Sequence, residues 1–355
     1  RSSYSITTDD AAVTAISATT YGTIQNLSSM APSSYQVGSV YSTSADPTVG
    51  GTRQIGSIDE NGKVTAVLSG LVEGTTYYYA TFVTLQGKVT KYGDVKSFVA
   101  TDADVATSAA TDITACTAVM NGQAHGIDDI LAASSVGFKY ALSADGVPTG
   151  VEVSINETAS SFSAKVPSLL PGTTYYYAAY TKVGDGFILG NTQSFTTASQ
   201  VMEYVDMGLS VLWAKCNIGA EKESEAGILV GYGDQSFYNR STSNDDYTPW
   251  DIAGTEDDTI YGLSIDGDSK SKSKMPTIEQ IEELIAKTTQ EYVSVDGVDG
   301  IRFTANNGNS IFLPLGSYWS GTINEINDAY SKTLKLAAEG VSAGLSQRAL
   351  GLPIR

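Results

Sequence analysis

The feature that most constrains this chain is an internal repeat of about 100 residues within its first 200 positions. Residues 74–80 and 172–178 both read Gly-Thr-Thr-Tyr-Tyr-Tyr-Ala, and the Ser-Ala-Asp at 44–46 returns at 143–145. The spacing between equivalent positions falls from 100 to 97 along the repeat, as loop-length changes between two copies of one fold produce. Such self-similarity indicates a duplicated unit. We therefore predict three domains, at residues 1–102, 103–199 and 200–355, of which the first two share a fold.

Each copy of the repeat is predicted to be a β-sandwich. Its segments are short, rich in Thr, Val and Tyr, and separated by Gly, Asp or Pro, which is typical of all-β sandwiches. Leu71 and Leu170 each stand just before the Gly-Thr-Thr-Tyr segment. This arrangement resembles the leucine-to-tyrosine corner of fibronectin type III domains, over residues 5–198. The resemblance implies two tandem immunoglobulin-like sandwiches, a fold that serves as a spacer or an adhesive module.

The last 156 residues carry different local signals. Thr277 and Gln280 form a capping box ahead of an apolar stripe, which predicts a helix. The Asn-Asn-Gly-Asn at 306–309 predicts a hairpin. Residues 205–214 are typical of a strand with an internal Gly-Leu-Ser turn, and residues 231–274 form a long Gly/Ser/Asp-rich stretch, which favours a functional loop region.

Several separated blocks identify a family resemblance in this C-terminal part. The run Val-Asp-Met-Gly-Leu-Ser-Val-Leu-Trp at 205–213, Gly-Asn-Ser-Ile-Phe-Leu-Pro at 308–314, Tyr-Trp-Ser-Gly at 318–321 and Gly-Leu-Pro-Ile-Arg at 351–355 occur in order. They resemble the "major paralogous domain" of anaerobic gut and rumen bacteria. The resemblance implies an α+β domain of the C-type-lectin-like or formylglycine-generating-enzyme-like fold, carried by surface lipoproteins. The chain departs from the family at residues 266–274, where the usual Trp-Gly-Gly turn is absent.

Charge and hydropathy bear on location and partners. The net charge of the chain is −18, and residues 200–355 carry a net charge of −11. Nucleic acid is therefore not an expected partner. No apolar run is long enough to cross a membrane. Because Arg1 replaces an initiating Met, we expect a trimmed start, and a lost N-terminal lipid anchor is the expected link to the outer membrane. Localisation is predicted to be extracellular, at the cell surface. Cys116 and Cys216 are expected to be free thiols.

Catalysis is not expected, and this follows by elimination. The only histidine is His125, so residues 200–355 hold neither a histidine-based triad nor a histidine zinc site. No cofactor is expected. The acidic stretch at 245–268 is either a solvated loop or a calcium site, for which Asp266 and Asp268 are the candidates. It lacks the EF-hand spacing and the Glu-Pro-Asn and Trp-Asn-Asp motifs of calcium-dependent lectins.

Ligand contacts are predicted on the aromatic side chains of the long loop. Aromatic rings contribute a large contact area at low entropic cost, which suits sugar and protein recognition. The candidates are Tyr232, Tyr238, Tyr247, Trp250, Asp251 and Tyr261. The alternative for Trp250 is an anchor that folds the loop down. Trp213 and Trp319 lie in strand-like blocks and are predicted to be core residues.

The predicted function is therefore non-catalytic adhesion or ligand binding at the cell surface. The two sandwiches would form a stalk and the lectin-like domain a tip, and the partner would be a host or dietary glycan or a surface protein. One alternative is an accessory module of a polysaccharide-utilisation system, including a carboxylate-dependent hydrolase. Another is a structural subunit of a surface appendage, assembled through exposed edge strands.

Overall fold

The computed structural model describes residues 5–27, 34–85, 89–125, 136–155, 160–235, 247–267 and 273–355. The first copy of the repeat contains ten strands. These are β1 Ser5–Thr8, β2 Ala11–Val13, β3 Ser17–Gln25, β4 Tyr35–Ser42, β5 Thr52–Ile55, β6 Ser57–Ile58, β7 Lys63–Ser69, β8 Thr76–Leu85, β9 Val89–Tyr92 and β10 Lys96–Val99.

The strands of the first copy form two antiparallel layers. β3 pairs with β1, β2 and β7, and β7 pairs with β6. In the second layer β8 lies between β4 and β10, and β5 and β9 complete the sheet. Leu68 from the first layer and Phe98 from the second belong to one buried cluster. The tyrosine corner is present, since Tyr77 Oη accepts a 3.1 Å hydrogen bond from the Val72 N–H.

The second copy repeats this plan with eight strands. They are β11 Asp104–Thr111, β12 Ala118–His125, β13 Val136–Ala141, β14 Val151–Ile155, β15 Ser161–Val166, β16 Thr174–Val183, β17 Gly186–Leu189 and β18 Gln193–Thr196. β12 lies between β11 and β15, while β13 and β16 pair beside β14, β17 and β18. The rings of Phe138 and Phe162 meet at 5.2 Å across the two layers. The predicted mostly β fold with sandwich domains is confirmed.

The two copies are joined through a shared sheet. β17 pairs in parallel with β2, with Gly186 opposite Ala11 and Phe187 opposite Ala12, so strands of both copies form one ten-stranded sheet. Beside this seam, Asp10 accepts hydrogen bonds from Lys96 at 2.8 Å and Lys182 at 2.6 Å. Backbone pairing and ion pairs therefore connect the two copies. The sequence alone did not predict this connection.

The C-terminal part contains one helix among its described residues, α1 Ile278–Lys287. Its strands are β19 Tyr204–Val205, β20 Trp213–Ala214, β21 Thr288–Val295, β22 Val298–Ala305, β23 Ser310–Pro314, β24 Gly316–Ile323, β25 Tyr330–Ala337 and β26 Gly340–Gln347. β21 to β23 form one antiparallel sheet, and β24 to β26 form another. The single strand predicted at 205–214 is instead the two short strands β19 and β20, because the turn between them separates them.

The helix and its sheets share one core. Thr277 caps α1, with the Thr277 N–H donating to Gln280 Oε1 at 2.9 Å, so the predicted capping box is confirmed. Ile281 and Leu284 of α1 pack with Trp213, Phe303 and residues of β23 to β25 in a single buried cluster. The predicted hairpin around 306–309 is formed by β22 and β23. The finer expectation of a C-type-lectin-like fold stays a prediction.

By internal contacts the chain divides into two compact units. Unit 1 comprises Arg1–Thr111, Val119–Lys165 and Tyr175–Phe195, and unit 2 comprises Asp112–Ala118, Val166–Thr174 and Thr196–Arg355. Two loops of the second copy thus group with the C-terminal segment, and the division at 1–102, 103–199 and 200–355 stays a prediction. Cys116 and Cys216, both in unit 2, are free thiols. No described helix has the length and apolar character needed to cross a membrane.

Candidate ligand-binding site

A cavity of about 560 Å³ lies in unit 2, beside β19, β20 and the start of α1. The register of the two strands sets Tyr204 opposite Ala214 and Val205 opposite Trp213. Pro276 and Gln280 enter from the start of α1, and Ile260 to Asp266 enter from the long loop. The wall consists of Met202, Tyr204, Val211, Leu212, Trp213, Ala214, Ile218, Ile260, Ile265, Asp266, Ser273, Lys274, Pro276, Gln280 and Arg355.

Most of the wall is apolar. Met202, Ile218 and Ile265 are buried, and they supply aliphatic surface. Leu212 is different, because 59% of its surface is exposed although it lines the cavity. Ligand pockets in proteins have this character, an apolar wall with a few convergent polar groups, and volumes of roughly 300 to 1,000 Å³. The cavity therefore has the size and composition of a small-molecule site.

The polar groups on one side of the cavity form a hydrogen-bonded cluster. Tyr204 Oη donates to Asp266 Oδ2 at 2.9 Å, and the hydroxyls of Tyr204 and Ser273 are also bonded to each other. Asp266 Oδ1 accepts from the Met202 N–H at 2.8 Å. Burial, assisted by the bond to the Asp266 carboxylate, raises the pKa of Tyr204. The cluster thus fixes the phenol at the cavity and occupies both oxygens of Asp266.

Two cations also line the cavity. Arg355 is buried, and it donates from Nη1 to Asn217 Oδ1 at 3.1 Å and from Nη2 to the Phe312 carbonyl at 2.7 Å. Both partners are neutral, and burial lowers the pKa of Arg355 to about 10. Lys274 is exposed and forms no ion pair within the described part of the chain. Its charge lowers the pKa of Asp258, although burial raises that pKa overall.

Two buried donors of the wall lack an acceptor. Neither the Trp213 Nε1–H nor the Arg355 Nε–H has a hydrogen-bond partner in the part of the chain that the structure describes. An unpaired buried donor costs roughly 1 to 3 kcal/mol, and buried donors in native proteins are for the most part paired. Both residues line the same cavity. The wall therefore carries hydrogen-bonding capacity that the protein itself does not use.

The predicted aromatic contacts lie elsewhere. Tyr232 and Tyr247 are buried, and Tyr232 Oη donates to the Trp250 carbonyl at 3.0 Å while its ring meets Trp319 at 5.7 Å. Both rings therefore lie in the interior, and a ligand contact at these two positions stays a prediction. Tyr261 is half-buried. Tyr238 lies outside the described residues.

Trp250 and Asp251 have different surroundings. Trp250 is 54% exposed, and its Nε1–H donates to Asp257 Oδ2 at 2.9 Å. Asp251 Oδ1 accepts from the Ile323 N–H at 2.8 Å, which ties the loop to β24. Neither residue lines the cavity. The ring of Trp250 is therefore exposed and hydrogen-bonded at its nitrogen. The carboxylate of Asp251 instead bonds to the backbone of β24.

Of the two calcium candidates, only Asp266 lies within the described residues, and the calcium site stays a prediction. Asp266 accepts protein donors on both oxygens, and Asp268 lies outside the described residues. No group of three metal-ligating side chains occurs within the described ranges. The carboxylate of Asp266 orients Tyr204 instead. Trp213 and Trp319 are buried, which confirms their prediction as core residues.

Several residues of the cavity had no sequence signal. Tyr204, Ser273 and Lys274 belong to no short motif, and Tyr204 lies 62 positions before its partner Asp266. Trp213 and Arg355 stand in the blocks that carried the family resemblance, but those blocks were assigned only to the fold. These residues meet at the cavity only through tertiary packing, so their proximity could not be predicted from local sequence patterns.

Comparisons with known proteins add little at the level of function. No protein-family model and no curated protein matches the chain. Among solved structures, the sensor domain of the anti-sigma factor RsgI4 of Pseudobacteroides cellulosolvens is 20% identical, covering 27% of this chain and 76% of that one, with a TM-score of 0.22. Chicken CNTN1 FN1-FN3 domains are 13% identical over 54% of this chain and 67% of that one, also with a TM-score of 0.22.

Proposed function

We propose that the protein is an exported, non-catalytic binding protein that captures its ligand in the cavity of unit 2. The observation that carries the proposal is the cavity itself, about 560 Å³ in volume, with an apolar wall and an oriented Tyr204–Asp266–Ser273 cluster. Such a combination is the usual form of a ligand site. The two sandwiches of unit 1 would serve as its support.

The protein would act outside the cell, at the bacterial surface, as the sequence predicts. Display at the surface of a bacterial cell through an N-terminal lipid anchor agrees with the acidic charge and with the family resemblance of residues 203–355. The partner would be a small molecule, or a glycan or surface protein that inserts a small apolar group. A hydrolase would need two carboxylates facing one cleft. Among the described lining residues Asp266 is the only acid, which favours binding over hydrolysis.

The proposal is tested by a ligand screen on the intact chain. We expect compounds that raise the melting temperature of the protein, with affinity reduced about tenfold in Leu212→Gln, because a leucine side chain in contact contributes roughly 1.5 kcal/mol. Leu229→Gln is the matched control, since Leu229 is also exposed in unit 2 but does not line the cavity. Equal losses in both variants, or no binding compound at all, would count against the cavity.

A second candidate is glycan recognition by Trp250. The specific observation in its favour is that the ring is 54% exposed while its Nε1–H donates to Asp257, which favours one orientation of the ring. A pre-positioned aromatic face loses little entropy on binding a sugar ring. This site and the cavity do not share residues, so variants separate them.

A further inference from the structure

We infer that the ligand of the cavity is a small amphipathic anion, an organic acid with an apolar body; this inference rests on the proposed function. The juxtaposition that carries it is an apolar wall holding two cations, Lys274 and Arg355, neither of which forms a direct ion pair within the described residues. In a unit whose residues 200–355 carry a net charge of −11, unpaired cations on a cavity wall are unexpected.

The charges of the wall favour an anion. Of the three charged residues among the described lining residues, Asp266 is the only acid, and its oxygens already accept from the Met202 N–H and the Tyr204 hydroxyl. The described lining side chains therefore carry more positive than negative charge. An anionic group in the cavity would complement Lys274 at the exposed side and Arg355 at the buried side.

The burial of Arg355 strengthens this argument. Its side chain is 6% exposed, and its hydrogen bonds go to an amide and a backbone carbonyl. The Glu223 carboxylate attracts the Arg355 charge from a distance but is itself paired with Arg302. A buried charge without a direct ion pair is costly. A ligand anion would supply that direct pair. Because burial excludes salt and water, the attraction is stronger than for an exposed arginine.

The unpaired donors point to the same chemistry. The Trp213 Nε1–H and the Arg355 Nε–H are both donors, and both nitrogens are enclosed within side chains of the wall. An acceptor that reached them would complete their hydrogen bonding. Carboxylate and sulfonate groups offer only acceptors when ionised. The remaining wall, which includes Met202, Ile218 and Ile265, accommodates an apolar body. A sugar carries hydroxyl groups around its ring. Many of them would face the apolar wall without a hydrogen-bond partner, which disfavours a sugar as the ligand.

The test compares two probes that differ in one group. 8-Anilino-1-naphthalenesulfonate and N-phenyl-1-naphthylamine share an aromatic body, and only the first carries an anion. Both are titrated by fluorescence into the intact chain. We expect the anionic probe to bind at least about tenfold more tightly, as a charge-assisted interaction of about 1.5 kcal/mol provides. Leu212→Gln should weaken both probes.

Charge variants complete the test. Arg355→Gln should reduce the preference for the anionic probe to about twofold or less, and Lys274→Gln should reduce it in part without a risk to folding, because Lys274 is exposed. Lys222→Gln, an exposed lysine away from the cavity, is the control and should leave the preference unchanged. Equal affinity for both probes, with both still sensitive to Leu212→Gln, would overturn the anion inference alone. Absence of binding, or binding insensitive to Leu212→Gln, would overturn the proposed function as well.

Discussion

The seam between the two repeat copies can be tested by replacing Asp10 with Asn. The Asp10 carboxylate, 21% exposed, accepts from Lys96 on Oδ1 and from Lys182 on Oδ2. The amide retains one acceptor oxygen and places an NH₂ group against the other lysine. Lys182 keeps Glu152 at 3.3 Å, so part of its charge remains compensated. Since each charge-assisted bond contributes about 1.5 to 3 kcal/mol, we expect a loss of about 2 kcal/mol.

The loss is measurable as a shift of the calorimetric transition of the intact chain. For a unit of roughly 150 to 250 residues, 2 kcal/mol corresponds to a fall of about 4 to 8 °C. Hydrogen exchange should quicken in β2 and β17, whose pairing lies beside Asp10. Asp94→Asn is the control, because Asp94 is exposed and outside the seam. A shift for Asp10→Asn no larger than for the control, with unchanged exchange, would refute the reasoning.

The pH dependence of the same variant gives an independent check. Burial acts to raise the pKa of Asp10, but the bonds from Lys182 and Lys96 outweigh it and lower the pKa below 3.8. A depressed carboxyl pKa contributes stability that is complete above the unfolded-state pKa, about 3.9, and is lost as pH falls through the folded-state value. The difference between wild type and Asp10→Asn should therefore be the same at pH 7 and pH 5. It should shrink only below pH 3.8.

Three further variants test the core, the helix cap and the exposed tryptophan. Phe98→Ala removes a buried ring that lies 5.5 Å from Tyr79, and it should cost about 3 to 5 kcal/mol in denaturant unfolding. Thr277→Ala deletes the cap of α1 and should cost about 1 kcal/mol by the same measurement. Trp250→Ala should leave the melting temperature within about 2 °C of wild type, since Trp250 is exposed. It should abolish any signal on a glycan array, with and without calcium; retained signals would exclude Trp250 as the contact.

Local signals account for the part of the fold that the sequence predicts. The capping box of Thr277 and Gln280 acts within one turn, and the tyrosine corner of Val72 and Tyr77 spans five residues, so each is encoded by neighbours in the chain. Most of the duplicated Gly-Thr-Thr-Tyr-Tyr-Tyr-Ala segment falls on β8 and β16, because threonine and tyrosine have high β-propensity and suit a central strand of a sandwich.

Long-range packing accounts for what the sequence does not predict. The pairing of β17 with β2 joins residues about 175 positions apart in the chain, and no pattern within either strand specifies it. The cavity likewise draws Tyr204, Trp213, Asp266 and Arg355 from distant segments. Tyr232 and Tyr247 of the long loop were predicted as ligand contacts at the surface, but both are buried, as are aliphatic side chains of the same loop such as Ile252. A polar loop needs such anchors to fold, and composition alone does not separate an anchor from a ligand contact.

The charge distribution makes one last prediction, on kinetics. An anionic probe approaching the protein meets the field of a −18 chain, which repels it over a Debye length of about 30 Å at 0.01 M salt and about 8 Å at 0.15 M. Inside the cavity it meets buried Arg355, whose field salt does not screen. Added salt should therefore speed association in stopped-flow fluorescence and raise the dissociation rate only to the extent that exposed Lys274 contributes to binding. The association rate of the neutral probe should not change with salt. Association that slows with salt would mean that local cations dominate at long range, contrary to this reasoning.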